Sequence, residues 1–296
     1  MTGFRCGTVA IAGQPNTGKS TLLNRLVGER LSIVSPKAQT TRHLLTGILN
    51  TGDCQFIFTD SPGLQSRHRD GLHRTLNRRA ANVVRDADVV AFVVDAARFG
   101  AEDRTVLERI PSERKVVAVV NKIDRLKHAA ELIPYIAQMS KARDFAAIVP
   151  VSARTGKNLP ELLSVLRDAL PEAPAMYPPE QMTDRDERFF ASELLREKLF
   201  QMLGEELPYR CEVVIDSFRE EGRLRRIEAT ILVERESQKS IVVGSKGAQL
   251  KRMAEAARKD MERLFGGKVF LGVWVKVRRG WRSEEHTSEL QSRHNL

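Results

Sequence analysis

Eight residues, GQPNTGKS at Gly13–Ser20, fit the pattern GxxxxGK(S/T), which ends a glycine-bounded loop in a lysine and a hydroxyl. That combination is suited to phosphate chemistry. The stretch Gly13, Gln14, Pro15, Asn16, Thr17, Gly18, Lys19, Ser20 and Thr21 is expected to close backbone N–H groups around phosphates. The N-terminus of a following helix would add partial positive charge. Lys19 is placed to reach β- and γ-phosphates and the Ser20 hydroxyl to ligate magnesium.

Three further motifs narrow the ligand. DSPG (Asp60–Gly63) offers the Asp60 carboxylate to magnesium, directly or through water, and the Gly63 amide to a γ-phosphate. NKID (Asn121, Lys122, Ile123, Asp124) places one carboxylate where a base would sit. Guanine presents N1–H and N2–H₂ donors side by side, which Asp124 can accept together, whereas adenine would leave that carboxylate unpaired. SAR (Ser152, Ala153, Arg154) offers the Ala153 N–H to guanine O6. In this order the motifs imply GTP and GDP with Mg2+, rather than ATP.

A second glycine loop, GSKG at Gly244, Ser245, Lys246 and Gly247, lacks the GK(S/T) ending and any base-reading partner. A second nucleotide site is not expected. Its glycines would allow close backbone approach to a polymer's phosphates, with Lys246 and Lys251 adding charge and Ile241, Val242 and Val243 available to floor a groove. Ordinary core packing is the competing reading for two of those three. From Lys239 to Trp281 there are eleven Lys/Arg against three acids, a net of +8 within a chain of +10. Basic residues spread over a loop, a helix and a strand suit a polyanion.

The elements that must hold these motifs follow from hydrophobic patterning. Short β-branched runs at Thr8–Ala12, Leu44–Leu49, Cys54–Thr59, Val89–Val94, Lys115–Val120 and Ala147–Val151 alternate with helical patterns at Ser20–Val27, His73–Arg85, Asp103–Arg109 and Leu159–Leu170. This predicts an α/β domain over 1–170, with a mixed, mainly parallel sheet and helices on both faces. Every motif then falls at a carboxyl strand end, where such sheets bind ligands. The proline-dense stretch 171–185 reads as a linker. Beyond it, 186–281 reads as a smaller α+β domain. It has an amphipathic helix (Asp186–Glu205), two strands (Glu212–Phe218, Arg226–Val233), a helical stretch, the GSKG loop, a helix (Ala248–Phe265) and a strand (Val269–Val277). The three cysteines and six histidines are scattered, which fits reduced thiols in a cytoplasmic protein and no zinc site or disulfide framework. No apolar run is long enough to span a bilayer.

The motif set resembles the translation-factor-like branch of P-loop GTPases, and SPKAQTTRH (Ser35–His43) resembles the first switch loop of the Era family. The order helix–strand–strand–helix–GxxG–helix–strand resembles a type II KH domain, in which GxxG clamps about four unpaired nucleotides. MTDRDERFFASELLREKLF, GEELPY, ILVERESQKSIVVGSKGAQLK, AARKDMERLF and WVKVRRGW extend the resemblance to the Era family over nearly the whole chain to Trp281. That resemblance implies that Thr40 or Thr41, with Thr41 favoured, coordinates magnesium, and that Asn16 helps bind K+ at the transition state. It implies slow GTP hydrolysis catalysed with Lys19, Thr41, Gly63 and Asn16. It also implies binding to the 3′ end of 16S ribosomal RNA, a role in 30S subunit maturation, a monomeric state and weak peripheral association with the membrane. Ser61 stands where threonine is usual. Leu64 stands where many GTPases place a water-orienting glutamine, so backbone groups, an ion or a partner must hold the water. The tail 282–296 reads RSEEHTSELQSRHNL, of which RSEEHTSELQS resembles a translated sequencing-library adapter, and it is expected to be non-native.

Two other classes fit less well. A tRNA-modifying GTPase would need an inserted helical domain or a catalytic cysteine near the C-terminus. A membrane-surface signalling GTPase would need basic charge but no backbone clamp.

Overall fold

The computed structural model describes residues 3–35, 37, 43–60, 71–96, 98–204 and 206–279, with backbone alone at 71–77, 79 and 129. Thr40, Thr41, Ser61, Gly63, Leu64 and the tail 282–296 lie outside the described residues. The chain divides into two compact units, Met1–Arg185 and Asp186–Leu296.

In the first unit the strands are β1 (Arg5–Gly13), β2 (Leu45–Asn50), β3 (Cys54–Asp60), β4 (Val89–Asp95), β5 (Lys115–Asn121) and β6 (Ala147–Pro150). They form one sheet in the order β2-β3-β1-β4-β5-β6. Only β2 runs antiparallel to its neighbour. The central strands are apolar on both faces, as burial between two helical layers requires. Val90, Phe92, Val94, Val116, Ala118 and Val120 join residues of the flanking helices in one core. The helices are α1 (Lys19–Val27), α2 (Gly71–Asp86), α3 (Ala101–Glu108), α4 (Leu132–Ser140) and α5 (Leu159–Ala169). Helix α4 escapes a periodicity reading because LIPYIAQMS is apolar nearly throughout. Its Pro134 sits in the first turn, where a missing N–H costs nothing. Strand β1 has β3 on one side and β4 on the other, so the winding reverses beside it and opens a crevice at its carboxyl end.

The proline-dense stretch is bound to this unit. It pairs with the β2 edge through the Ile48 N–H donating to Met182 O at 2.8 Å and an antiparallel bridge between Gly47 and Thr183. Gln55, fully buried, accepts from the Met176 and Tyr177 amides and donates to Tyr177 O.

The second unit contains α6 (Glu187–Met202), β7 (Glu212–Glu221), β8 (Leu224–Val233), α7 (Glu236–Val243), α8 (Ala248–Phe265) and β9 (Lys268–Val277). Its sheet runs β7-β8-β9, antiparallel then parallel, because two helices intervene before β9. Helix α6 departs from the expected amphipathic pattern. Its buried set includes Glu193, Arg196, Glu197 and Lys198 beside the apolar residues. The charges are retained by pairing: Arg196 holds Glu193 through two bonds of 2.7 and 2.6 Å, and Lys198 meets Asp260 of α8 at 2.5 Å.

Candidate functional sites

The first glycine loop, Asp60 of DSPG, NKID and SAR lie at the carboxyl ends of β1, β3, β5 and β6. The first glycine loop leaves β1 at Gly13 and enters α1 through Gly18, whose φ of +97° belongs to the left-handed region. A Cβ on Gly18 would also lie 2.4 Å from Asn121 Nδ2, so only glycine fits beneath that amide. Asn121 is 2% exposed and ties three loops together. Its Nδ2 donates to Thr17 O at 2.9 Å, and its Oδ1 accepts the Ala153 amide at 3.0 Å. Asn121 therefore braces the site, and the Ala153 N–H expected to serve guanine O6 is engaged by it here.

The two lysines differ in environment. Lys19 is buried, with Nζ donating to Gln14 O at 2.7 Å. Desolvation pushes its ammonium down to about 8, Lys122 adds to the lowering, and Asp60 opposes it. Lys122 donates to Asp95 Oδ2 at 2.7 Å and to the Asn16 carbonyl. Asn16 itself is exposed and left-handed, at φ +63°. Thr17 is buried and bonds Gln14 O at 2.9 Å, while Gln14, Pro15, Ser20 and Thr21 are half-buried.

Asp60 is fully buried at the end of β3. Its Oδ2 accepts Ser20 Oγ at 2.8 Å and Ser32 Oγ at 2.9 Å. A hydroxyl and a carboxylate side by side are the hard oxygen donors that magnesium takes, with phosphate oxygens and water completing the set. The residues present fit the ion.

Asp124 carries two donors already. Ser152 Oγ donates to Oδ1 at 2.5 Å, and Arg154, 74% exposed, meets Oδ2 at 2.6 Å. The Ser152 hydrogen bond is the main effect holding this carboxyl below its usual range; burial opposes it, and the Arg154 charge adds a further lowering. Ser32, Asp95 and the bridging role of Asn121 were not legible in the motifs. Ser32 is placed by Asn24, which bonds both its amide and its carbonyl, and no spacing rule connects either residue to Asp60.

In the second unit, GSKG joins α7 to α8. Gly244 has φ +72° and ψ 179°, and a Cβ there would lie 2.6 Å from Gln249 Cβ. Gly247 caps α8, so the first amides of an 18-residue helix open beside the loop. Ser245, Lys246 and Lys251 are exposed. Of the three expected floor residues, Val242 is fully buried in the core, Val243 is half-buried and Ile241 is 56% exposed.

Residues 8–122 match the family described as "50S ribosome-binding GTPase", and residues 206–282 match "KH domain". GTPase Era of Nitrosomonas eutropha is 52% identical over 280 residues, covering 95% of each chain. The chain belongs to the Era family of GTPases. GTPase Era of Pseudomonas aeruginosa PAO1 is 47% identical over 284 residues, covering 96% of this chain and 93% of that one. Two solved Era structures are similar throughout. One is a variant of Aquifex aeolicus Era bound to GDP·AlF4−, with a TM-score of 0.92. The other is Era in complex with MgGDPNP and nucleotides 1506–1542 of 16S ribosomal RNA, with a TM-score of 0.91. Each is 36% identical and covers 97% of this chain and 98% of its own. Among the described residues no helix is long and apolar enough to cross a membrane.

Proposed function

We propose that this Era-family chain is a GTP-hydrolysing switch that binds the 3′ end of small-subunit ribosomal RNA and assists assembly of the 30S subunit. The observation that carries the GTPase half is the Asn121 tie, which joins the phosphate loop, the NKID strand end and the SAR loop around one crevice. The solved Era complexes with nucleotide and with ribosomal RNA support both halves.

In this reading Gly13–Thr21 and the start of α1 receive the phosphates, and Lys19 neutralises β- and γ-oxygens. Asp124 reads guanine N1–H and N2–H₂, for which Arg154 must give up its bond to Oδ2. Ala153 contributes its amide to O6 by sharing or exchanging the Asn121 bond. Ser20, Asp60 and Thr41 hold magnesium, which when bound supplies positive charge to the phosphate oxygens. Hydrolysis breaks the β–γ phosphoanhydride with water as the nucleophile, leaving GDP and phosphate. With Leu64 unable to orient water, backbone groups, an ion or a bound partner must hold it, and Asn16 would help bind a K+ that supplies positive charge there. Equal turnover in potassium and in sodium would remove the ion from this account.

The GSKG loop, with Ile241, Val243, Lys246 and Lys251, grips the RNA backbone in a groove. Residues 1–170 serve the nucleotide, 171–185 connect, 186–281 serve the RNA, and 282–296 serve neither. The chain acts as a monomer in the cytoplasm, and its basic second unit gives weak peripheral attraction to anionic membrane. The deciding experiment is GTP turnover and salt-dependent RNA binding with 3′-end oligonucleotides of small-subunit rRNA. Lys246→Glu should abolish binding of the RNA and leave GDP affinity unchanged. Undiminished RNA binding by that variant would refute the loop assignment.

A further inference from the structure

The sheet of the second unit has one covered face and one open face. Alternation sends Val269, Leu271, Val273, Val275 and Val277 of β9 into the core with Ile227, Ala229, Ile231 and Val233 of β8. It sends Lys268, Phe270, Gly272, Trp274 and Lys276 to the other side. There Phe270 is 47% and Trp274 49% exposed. Exposed aromatics on a soluble unit's sheet call for an occupant, because water contact with rings of this size is unfavourable.

The local chemistry identifies the occupant. The outward residues of β9 are two cations, two aromatics and a glycine, with no acid among them. A Cβ on Gly272 would lie 2.8 Å from the six-membered end of the Trp274 indole, so the ring lies across the glycine and presents a π-face along the strand. On β8, Arg226 stacks with its Cζ 4.8 Å from the Phe270 centroid. The acids of this face lie on β7 and β8. Asp216 accepts Thr230 Oγ at 2.6 Å, Glu221 meets Arg226 at 3.3 Å, and Glu228 stands opposite Gly272. β9 is also an edge strand, so a chain can approach it from the side. Flat rings flanked by Lys268 and Lys276 match the alternation of bases and phosphates in an unpaired strand.

We propose that the open face along β9 is a base-stacking platform for single-stranded RNA, separate from the GSKG loop and engaged by nucleotides beyond those the loop clamps. This deepens the RNA-binding reading and rests on it. A GxxG loop holds about four nucleotides, so an RNA of that size would miss the platform and a longer one would reach it.

The test uses the full chain in a Trp281→Phe background, which leaves Trp274 as the sole indole of the two the sequence contains. The probes are a short oligonucleotide of about six nucleotides and one of about 24, both ending at the small-subunit rRNA 3′ terminus. The longer RNA should quench Trp274 fluorescence, and the shorter should bind without quenching it. Phe270→Ala should weaken the longer RNA about five- to thirtyfold and leave the shorter within about twofold. Lys276→Glu, which leaves both rings in place, should weaken the longer RNA and flatten its salt dependence. Absence of quenching at saturation, or equal losses on both RNAs, overturns the proposal. So does concentration-dependent self-association abolished by Phe270→Ala with RNA affinity unchanged, which would make the face an interface between copies. If the unaltered protein binds neither RNA, the RNA-binding reading itself has failed.

Discussion

Replacing Asn121 by alanine tests whether the three motif loops it ties form one site. The side chain is 2% exposed and makes two buried bonds, to Thr17 O at 2.9 Å and from Ala153 N at 3.0 Å. Truncation removes a partner from each of these backbone groups, at about 1–3 kcal/mol apiece. Water entering the space beside Gly18 recovers part of this, which leaves a loss of about 2–4 kcal/mol. If the loops separate without unfolding, the loss appears in nucleotide binding as a fall of about 30- to 1,000-fold in GDP affinity. If the loops stay together at the expense of the fold, it appears as a drop of about 4–16 °C in the transition of the first unit. Titration with a fluorescent GDP analogue and calorimetry of the nucleotide-free protein measure the two shares. Asn121→Asp sharpens the result. It keeps an acceptor for the Ala153 amide but sets an oxygen against the Thr17 carbonyl, so it should be no better than alanine. An alanine variant within about threefold in affinity and about 2 °C in midpoint would refute the tie.

Other outcomes follow from single groups. Lys19 at about 8 lies below its unfolded value of about 10.4, so its buried ammonium costs stability in full below pH 8. That cost is relieved as pH rises toward 10.4, because the unfolded chain then binds the extra proton. Phosphate binding needs the ammonium, so GDP binding should take up about 0.9 proton at pH 9 and about 0.1 at pH 7, read by calorimetry in buffers of different ionisation enthalpy. No uptake at pH 9 would show that Lys19 is not in contact with phosphate. Asp124→Asn should turn preference from guanine toward xanthine nucleotides, since the amide nitrogen complements a C2 carbonyl, and competition binding would reveal a retained guanine preference. Gln55→Leu leaves the Met176 and Tyr177 amides without their buried acceptor, so proteolysis within 171–185 should accelerate about tenfold or more. An unchanged cleavage rate would mean that other bonds hold the segment.

The chemistry of this chain was legible wherever a residue type is demanded by its ligand. A lysine and a hydroxyl after a glycine turn, a carboxylate at a strand end and two glycines around a serine and a lysine are choices that few alternatives satisfy, and their spacing is local. The supporting groups are a different matter. Ser32 reaches Asp60 only because Asn24 clasps both its backbone groups, a relation across 28 residues with no periodic trace. Burial of Val242 beside exposed Ile241 depends on which face α7 turns to the sheet, and a run of three β-branched residues carries no phase with which to decide it.

The stretch 171–185 shows most clearly where a composition reading stops. Its prolines interrupt helix and central strand alike, which makes it read as an untethered connection. Yet proline removes only a donor, and every carbonyl remains. Asn50 Nδ2 takes the carbonyl of Pro179 at 2.8 Å, the Ile48 amide takes that of Met182 at 2.8 Å, and Gln55 Nε2 takes that of Tyr177 at 2.8 Å. A segment poor in donors can therefore line a sheet edge by accepting from it. β2, whose edge it lines, is also the strand that leaves Ser35–His43, the stretch resembling the first switch loop. Arg185, the last residue of the first unit, donates to Leu44 O at 2.7 Å, one residue before β2 begins. The stretch up to Arg185 is thus held along β2 by backbone and side-chain hydrogen bonds, and Gln55 of β3 is the buried side chain that fastens it from beneath.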